Sequence, residues 1–562
     1  MIDVFRGYNH NLRISDGEFY DMENMTSDNY PILSPRKPRE TFIKSKNLTG
    51  IISKDVLCYV DGVNFVVGDE IVNMGLSDEP KTLVSMASYV IILPDKKYIN
   101  TANLDDFGNI EAQKSTTGKT TFSLCKMDGA EYDEVTFSPT APTNPENMDL
   151  WIDTSTTPNA LKQYSANSGS WVSVASTYIK IQSDGIGADF EVGDGVTLSG
   201  ITSEALADLN ATMVIQAKGN DFIVVIGIIE EVTTQDTPIT VKRLMPNLDF
   251  VIESGNRLWG CRYGEALNGE TVNEIYASKL GDFKNWNAFQ GISTDSYAAS
   301  CGTDGAFTGA ITHLGYPIFF KENCMHKVYG NFPANYQIQT TDCRGVQQGS
   351  HKSLAIVNEI LYYKSRLGVC AYDGSLPAEV SESLGDVPYF DAVGGAHGNK
   401  YYISMADNAG LYHFFVYDTS KGLWHKEDNT KVFGFCSHKN QMYFIDRENG
   451  QIASVFGGEN AIEDVRWKVE SGIIGFDSPD KKYISNMMVR LSLDFGSRVY
   501  FYIMYDSMGR WEHVGTVTGN SLKSMNVPVR PRRCDHFKLK IEGEGEAKIY
   551  SICKTLEQGS DY

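Results

Sequence analysis

The sequence predicts an all-β chain: a β-propeller of six to eight blades, with small β modules inserted in it and a β-sandwich at its C-terminal end. Three observations lead there. Thirty tyrosines, 27 phenylalanines and 51 glycines suit short strands joined by tight turns. An aromatic triplet recurs through the second half at the spacing of a four-stranded blade. Helical periodicity is nearly absent, and the best short candidate is "SEALADLN", with Ser203 placed to cap its start.

The first element, residues 1–45, reads as an extended arm. The stretch "DGEFYDMENMTSDNYPILSPRKPRE" is polar and carries Pro31, Pro35 and Pro38. Each proline lacks an N–H and pushes the residue before it toward extended geometry. The arm has little to bury, so the expectation is that Asn24 to Arg39 docks on folded protein, across a subunit boundary, and that removing residues 1–39 leaves the propeller folded but reduces assembly.

Residues 46–114 form the first part of the propeller. "DVLCYVDGVNFVVGDEIVNMG" and "SYVIILPDKKYINTANLDDFGNIE" each look like one blade. The rhythm then breaks. Residues 115–249 read as inserted small β modules, the first rich in Pro, Thr, Ser and Asn around Trp151 and Trp171. After it, "YIKIQS", "DGVTLSGI" and "DFIVVIGIIEEV" alternate like strands of a small barrel. Surface loops tolerate such insertions because closure entropy grows slowly with length.

Residues 250–460 are the second part of the propeller, opened by "GNRLWGCRYGE". The triplets Ile318-Phe319-Phe320, Leu361-Tyr362-Tyr363, Tyr401-Tyr402-Ile403 and Met442-Tyr443-Phe444 begin 43, 40 and 41 residues apart. Residues 461–562 alternate as strands and hairpins and read as a separate β-sandwich, or as one further blade.

Bulk composition narrows the function classes. Of 562 residues 42% are hydrophobic and 22% charged, a globular balance. Fifty basic against 71 acidic residues give a net charge of −21, which argues against a phosphate-binding surface spread over the whole protein. No signal peptide opens the chain, no apolar run is long enough for a membrane span, and ten scattered cysteines without a CxxC fit reduced thiols.

Catalytic and ligand motifs fail on spacing. "STTGKTT" lacks the first glycine of a phosphate-binding loop, since Gln113 stands in its place. Cys324 with His326, and Cys436 with His438, supply two ligands each where zinc needs three or four. Asp418, Gly422 and Trp424, and Asp506, Gly509 and Trp511, do not have the sialidase-type turn spacing. No carboxylate pair stands out for sugar hydrolysis. Trp151 and Trp171 read as the core of their small module rather than a sugar platform. The expectation is no catalytic residue, no metal, no cofactor and no enzymatic activity. Arg530, Arg532 and Arg533 cluster beside Pro531 and are expected to pair with acidic residues of a neighbouring chain.

The opening "DGEFYDMENMTSDNYPILSPR" is similar to the start of β-propeller virion proteins of tailed bacteriophages. So are "GAITHLGYPIFFKENCMHKVYGNFPANYQIQTTDCRGVQQGSHKSLAIVNEILYYKSRLGVCAYDG" and "PVRPRRCDHFKLKIEGEGEAKIYSI". The stretch "NMDLWIDTSTTPNALKQYSANSGSWVSV" looks like a small module of phage tail and fibre proteins. The nearest type is the tail nozzle of short-tailed phages. The resemblance implies a structural virion protein, assembled in the bacterial host cytoplasm into a ring, usually of six copies. Portal, adaptor or other tail proteins would be its partners, and double-stranded DNA would pass its lumen without sequence-specific binding. It also implies an arm laid on its own propeller or on a neighbouring subunit, with Arg36 and Arg39 pairing carboxylates; Tyr30 and Leu33 are the expected apolar anchors at a subunit interface. A carbohydrate-binding or carbohydrate-cleaving propeller that contacts the host, and an intracellular scaffold propeller, are the other classes.

Overall fold

Each aromatic triplet lies on the second strand of a four-stranded antiparallel sheet. These strands are Tyr316–Phe320, Ile360–Lys364, Lys400–Ala406 and Gln441–Asp446. Side chains of both parities are buried along them, as in Phe319 and Phe320 or Tyr401 and Tyr402. A strand packed on both faces needs apolar residues at successive positions, which explains the triplets. The computed structural model describes residues 1–266, 269–458, 461, 463–475, 482–519, 522–527 and 533–558. Seven such sheets of blade type are present among them, six of them meanders of four successive strands and the seventh a meander of three completed by Glu40–Lys44. They span 48–73, 82–109, 250–300, 309–342, 355–379, 390–426 and 432–454, numbered blades 1 to 7 below. Two-residue turns join many strands. In blade 5 Asn358 and Glu359, both with positive φ, link Val357 to its pair Ile360, the geometry of a type I′ turn.

The chain divides into two compact units. The first comprises 1–83, 307–327 and 340–562, and holds blades 1, 5, 6 and 7 and most of blade 4. First strands of blades 5, 6, 7 and 1 touch one another in that order. The arm is woven into this unit. Its strand Glu40–Lys44 pairs with Gln451–Ser454 as the outer strand of blade 7. Strand Glu18–Glu23 pairs with Arg466–Ser471, and Gly7–Tyr8 pairs with Glu18–Glu23.

The C-terminal β-sandwich is therefore not self-contained. Its larger sheet runs Gly7–Tyr8, Glu18–Glu23, Arg466–Ser471, Phe537–Glu544, Arg498–Tyr505, Glu512–Thr518. The smaller runs Lys523–Val527, Lys482–Leu493, Ala547–Gln558. Val469, Phe501 and Ile541 of one sheet share a core with Val489, Leu491 and Ile549 of the other. That core continues into Tyr362, Tyr401, Phe415 and Trp424 of blades 5 and 6. Trp467 packs flat against Gly543, where any Cβ would collide with the indole.

The second unit comprises 84–306 and 328–339, with blade 3, nearly all of blade 2, and the insertion. The insertion is entered by Ala112–Ser115 and left by Thr240–Arg243, which pair with Ala112 opposite Arg243. In place of the expected small barrel, a four-stranded and a five-stranded sheet enclose one core with Phe122, Ile181, Phe190, Leu198 and Val225. The helix candidate is a 3-10 turn, Glu204–Leu209, and Ser203 makes no side-chain cap. This module is anchored on blade 3. Asp194 accepts from Arg243 within the module and from Asn285 outside it. The strands Thr136–Ser138, Leu150–Asp153, Ala160–Ser165 and Ser170–Ser173 form a further small sheet. Trp151 is its core: buried, edge-on to Trp171 at 5.4 Å, and donating its indole N–H to the Ser138 carbonyl.

Candidate functional site

Two places in the first unit gather charged side chains. The first is the seat of the arm. Arg36 donates from both terminal nitrogens to Glu463, at 2.8 and 2.7 Å, and from Nε to Asn24. Arg39 donates to Glu427 at 2.6 Å and Asp428 at 2.7 Å, and its backbone N–H meets Glu463 at 2.7 Å. Its guanidinium also lies over the rings of Phe414 and Phe444, at 4.9 and 5.1 Å. Burial works against the charge on Arg39, but Asp428 and Glu427 outweigh it and hold the guanidinium more firmly protonated. The same balance holds Asp428 and Glu463 below the ordinary carboxylate range, with burial overcome by Arg39 and Arg36 respectively.

The residues expected at a subunit interface thus fall in several places. Leu33, Arg36 and Arg39 are occupied within their own chain, and Leu33 pairs with Ile549. Tyr30 is 38% exposed and is not an anchor within its own chain. The anchors are Phe19, Met22 and Met25, which are buried with Leu33. Sequence reading missed them because each stands alone among polar neighbours. Arg533 is exposed, and Arg530 and Arg532 lie outside the described residues.

The second place is a pocket of about 650 Å³ at the starts of blades 5, 6 and 7. Lys352 donates to the carbonyl of Phe433 at 3.2 Å and rests 3.9 Å from the centre of its ring. Arg447 lies over the same ring at 4.8 Å. Across the pocket Lys431 sits 4.6 Å above Tyr412, whose hydroxyl donates to Asp391. Glu448 completes the wall. Burial pulls Lys352 down to about 8, with Asp391 opposing the shift and Arg447 adding to it. Burial and Lys352 push His351 down to about 4, so its imidazole is neutral at pH 7. Sequence reading missed these residues too, although a signal was there. His351, Asp391 and Lys431 are 40 residues apart, one blade period; Asp391 and Lys431 stand at or beside the start of their blades' first strands, and His351 stands in the 3-10 turn that leads into Ala355–Val357.

Of the thiol–imidazole pairs, Cys324 with His326 is a core feature, whereas Cys436 is buried and His438 only half-buried. Cys324 and His326 are buried 3.9 Å apart, and burial pushes His326 down to about 4. Burial pushes Cys436 up to about 12, while His438 bonds Ser53. Among the described residues no three His, Cys, Asp or Glu side chains gather as a metal site. No helix among them is long and apolar enough to cross a membrane.

No protein-family model matches the chain, and no curated protein matches it. Solved structures do. An exo-β-1,3-galactanase from Phanerochaete chrysosporium, bound to β-1,3-galactotriose, is 9% identical with a TM-score of 0.21. It covers 54% of this chain and 95% of its own. A glycoside hydrolase engineered to display endo-xylanase and exo-arabinofuranosidase activity is 9% identical with a TM-score of 0.20, covering 55% and 96%. A Trypanosoma rangeli sialidase is 9% identical with a TM-score of 0.21, covering 84% and 90%. These neighbours are carbohydrate-cleaving enzymes, and against them the expectation that the chain is not an enzyme is withdrawn. At that identity and TM-score they carry no active-site residue and no substrate over to this chain.

Proposed function

We propose that the protein is a structural virion protein of a tailed bacteriophage, one subunit of a tail ring that gives the genome its exit channel. One observation carries the reading. The opening segment, where the resemblance to phage propellers begins, is the segment that ties blade 7 to the C-terminal sandwich through two strand pairings and the Arg36–Arg39 charge cluster. A subunit fastened in this way suits a ring that must hold its shape while DNA moves through it. The net charge of −21 supports the same reading, since an acidic wall repels phosphates instead of retaining them. The partners are further copies of this chain, portal or adaptor proteins, and passing duplex DNA. Mass photometry of the purified chain, alone and with its portal and adaptor proteins, tests it. Particles of six 62.4 kDa subunits are expected. A monomer that joins neither ring would sink the reading.

A second reading, saccharide recognition at the host surface, is favoured by the pocket beside Phe433. Its wall offers the carboxylates Asp391 and Glu448 to hydroxyl donors. Titration of the full chain with glucose and glucuronate tests it, and binding of neither would sink it.

A further inference from the structure

In a chain with a net charge of −21, the Phe433 pocket is an exception. Lys81, Lys352, Lys431 and Arg447 line it against two carboxylates, Asp391 and Glu448. Neither carboxylate lies in salt-bridge contact with Lys352 or Arg447. Among the described residues neither Lys352 nor Arg447 forms an ion pair, and the one hydrogen bond of Lys352 goes to a backbone carbonyl. Both instead lie against one aromatic ring, that of Phe433. Such contact offsets part of a cation's desolvation but leaves its donors open, two on the ammonium and the fork of the guanidinium. An anion placed between them would receive charge-assisted hydrogen bonds from both.

The carboxylates narrow the class of ligand. They repel a bare anion, yet they accept hydrogen bonds from hydroxyls. A pocket of about 650 Å³ also exceeds what an inorganic ion needs. We propose that this pocket binds an acidic saccharide, with Lys352 and Arg447 holding the sugar carboxylate and Asp391 and Glu448 accepting from its hydroxyls. The inference rests on the saccharide reading and is independent of the ring.

Lys352 gives the site a pH signature. The groups facing it are Asp391, Arg447, Lys431, Glu448, Lys81 and His351, and the last is neutral above about 4. Below about 8 Lys352 carries its charge, and above that value it loses it. A bound carboxylate raises that value again, so affinity is flat up to about pH 8 and falls as the pH rises further.

The test is a ligand-observed NMR titration of the full chain with glucuronate, glucose and inorganic phosphate. Glucuronate is expected to bind at least about tenfold tighter than either of the others, the worth of one charge-assisted bond. Arg447 is exposed, so Arg447→Gln leaves the fold intact and should lower glucuronate affinity about tenfold with glucose unchanged. Lys352→Met should also abolish the fall above pH 8. Glucose binding as tightly as glucuronate, with Arg447→Gln silent, would overturn the inference and leave the saccharide reading standing. Phosphate binding as tightly as glucuronate would overturn it in favour of a plain anion site. Binding of none of the three would overturn the inference and the saccharide reading together.

Discussion

The first 44 residues and the small sheet at 136–173 look alike as sequence. Both are polar, carry several prolines and lack long apolar runs. Their fates differ. The arm's hydrogen bonds reach across 427 residues, from Arg36 to Glu463, and Ile2 pairs with Ile552. The small sheet closes on itself, as in the bond from Trp151 to Ser138 over 13 residues. The difference teaches that local polarity says how much a segment can bury, not whose core it completes. A few isolated apolar residues suffice when the partner surface is built elsewhere in the chain. Met22 is fully buried although Asp21 and Glu23 flank it.

Deletion should separate the two regions most widely. Without residues 1–44, blade 7 loses its outer strand and the sandwich loses two strands and Phe19, Met22 and Leu33. The expected outcome is loss of the main cooperative urea transition. Replacing 136–173 with a short Gly-Ser linker should leave that transition in place. An arm deletion that unfolds as cooperatively as the full chain would break the comparison. The sequence-based expectation concerned the shorter deletion of residues 1–39, which keeps the blade 7 strand but still takes Phe19, Met22 and Leu33 from the sandwich core.

A single substitution should have a smaller effect of the same kind. Arg39→Ala leaves Glu427 and Asp428 close together with their main partner gone. Removing one partner of a buried pair costs about 3–5 kcal/mol. Denaturant titration should show a loss of that size. A change under about 1 kcal/mol would mean the cluster is solvated like an ordinary surface pair.

Acid should loosen the arm by less. Asp428 and Glu463 titrate below their unfolded values, so the stability they lend is fully present above about pH 4. It is lost as the pH falls through their depressed values. Limited proteolysis with an acid-active protease should therefore cut within 1–44 increasingly as the pH drops below about 4. Cleavage at a constant rate from pH 6 to 3 would contradict that linkage. The smallest effect on the main transition is expected from Trp151→Ala. It removes the core of the small sheet, a local loss of about 3–5 kcal/mol, while the main transition moves by less than about 0.5 kcal/mol.

The propeller was legible in the sequence because blade strands are buried on both faces and therefore repeat apolar triplets such as Leu361-Tyr362-Tyr363. The insertion was legible as a break in that rhythm. The weaving of the arm was not. Glu427, Asp428 and Glu463 carry no mark that distinguishes them from the other acidic residues, and a pairing over hundreds of residues leaves no local pattern. Of the candidate sites, the role of Arg36 and Arg39 in pairing carboxylates was readable from their chemistry, but not the partners. The Phe433 pocket assembles residues from separate blades, and only their 40-residue spacing hinted at it.

Hydrogen exchange followed by mass spectrometry tests the central claim most directly, because it reads the arm and the small sheet in one sample of the intact chain. Amides of Glu18–Glu23 and Glu40–Lys44 are bonded to sandwich and blade strands. They should exchange with the slow set that reports global opening, together with Arg466–Ser471 and Gln451–Ser454, while Leu150–Asp153 and Ala160–Ser165 exchange earlier as a unit of their own. Arm amides that exchange ahead of the blades, at rates near those of the small sheet or faster, would contradict the claim that the opening segment is part of the fold it lies on.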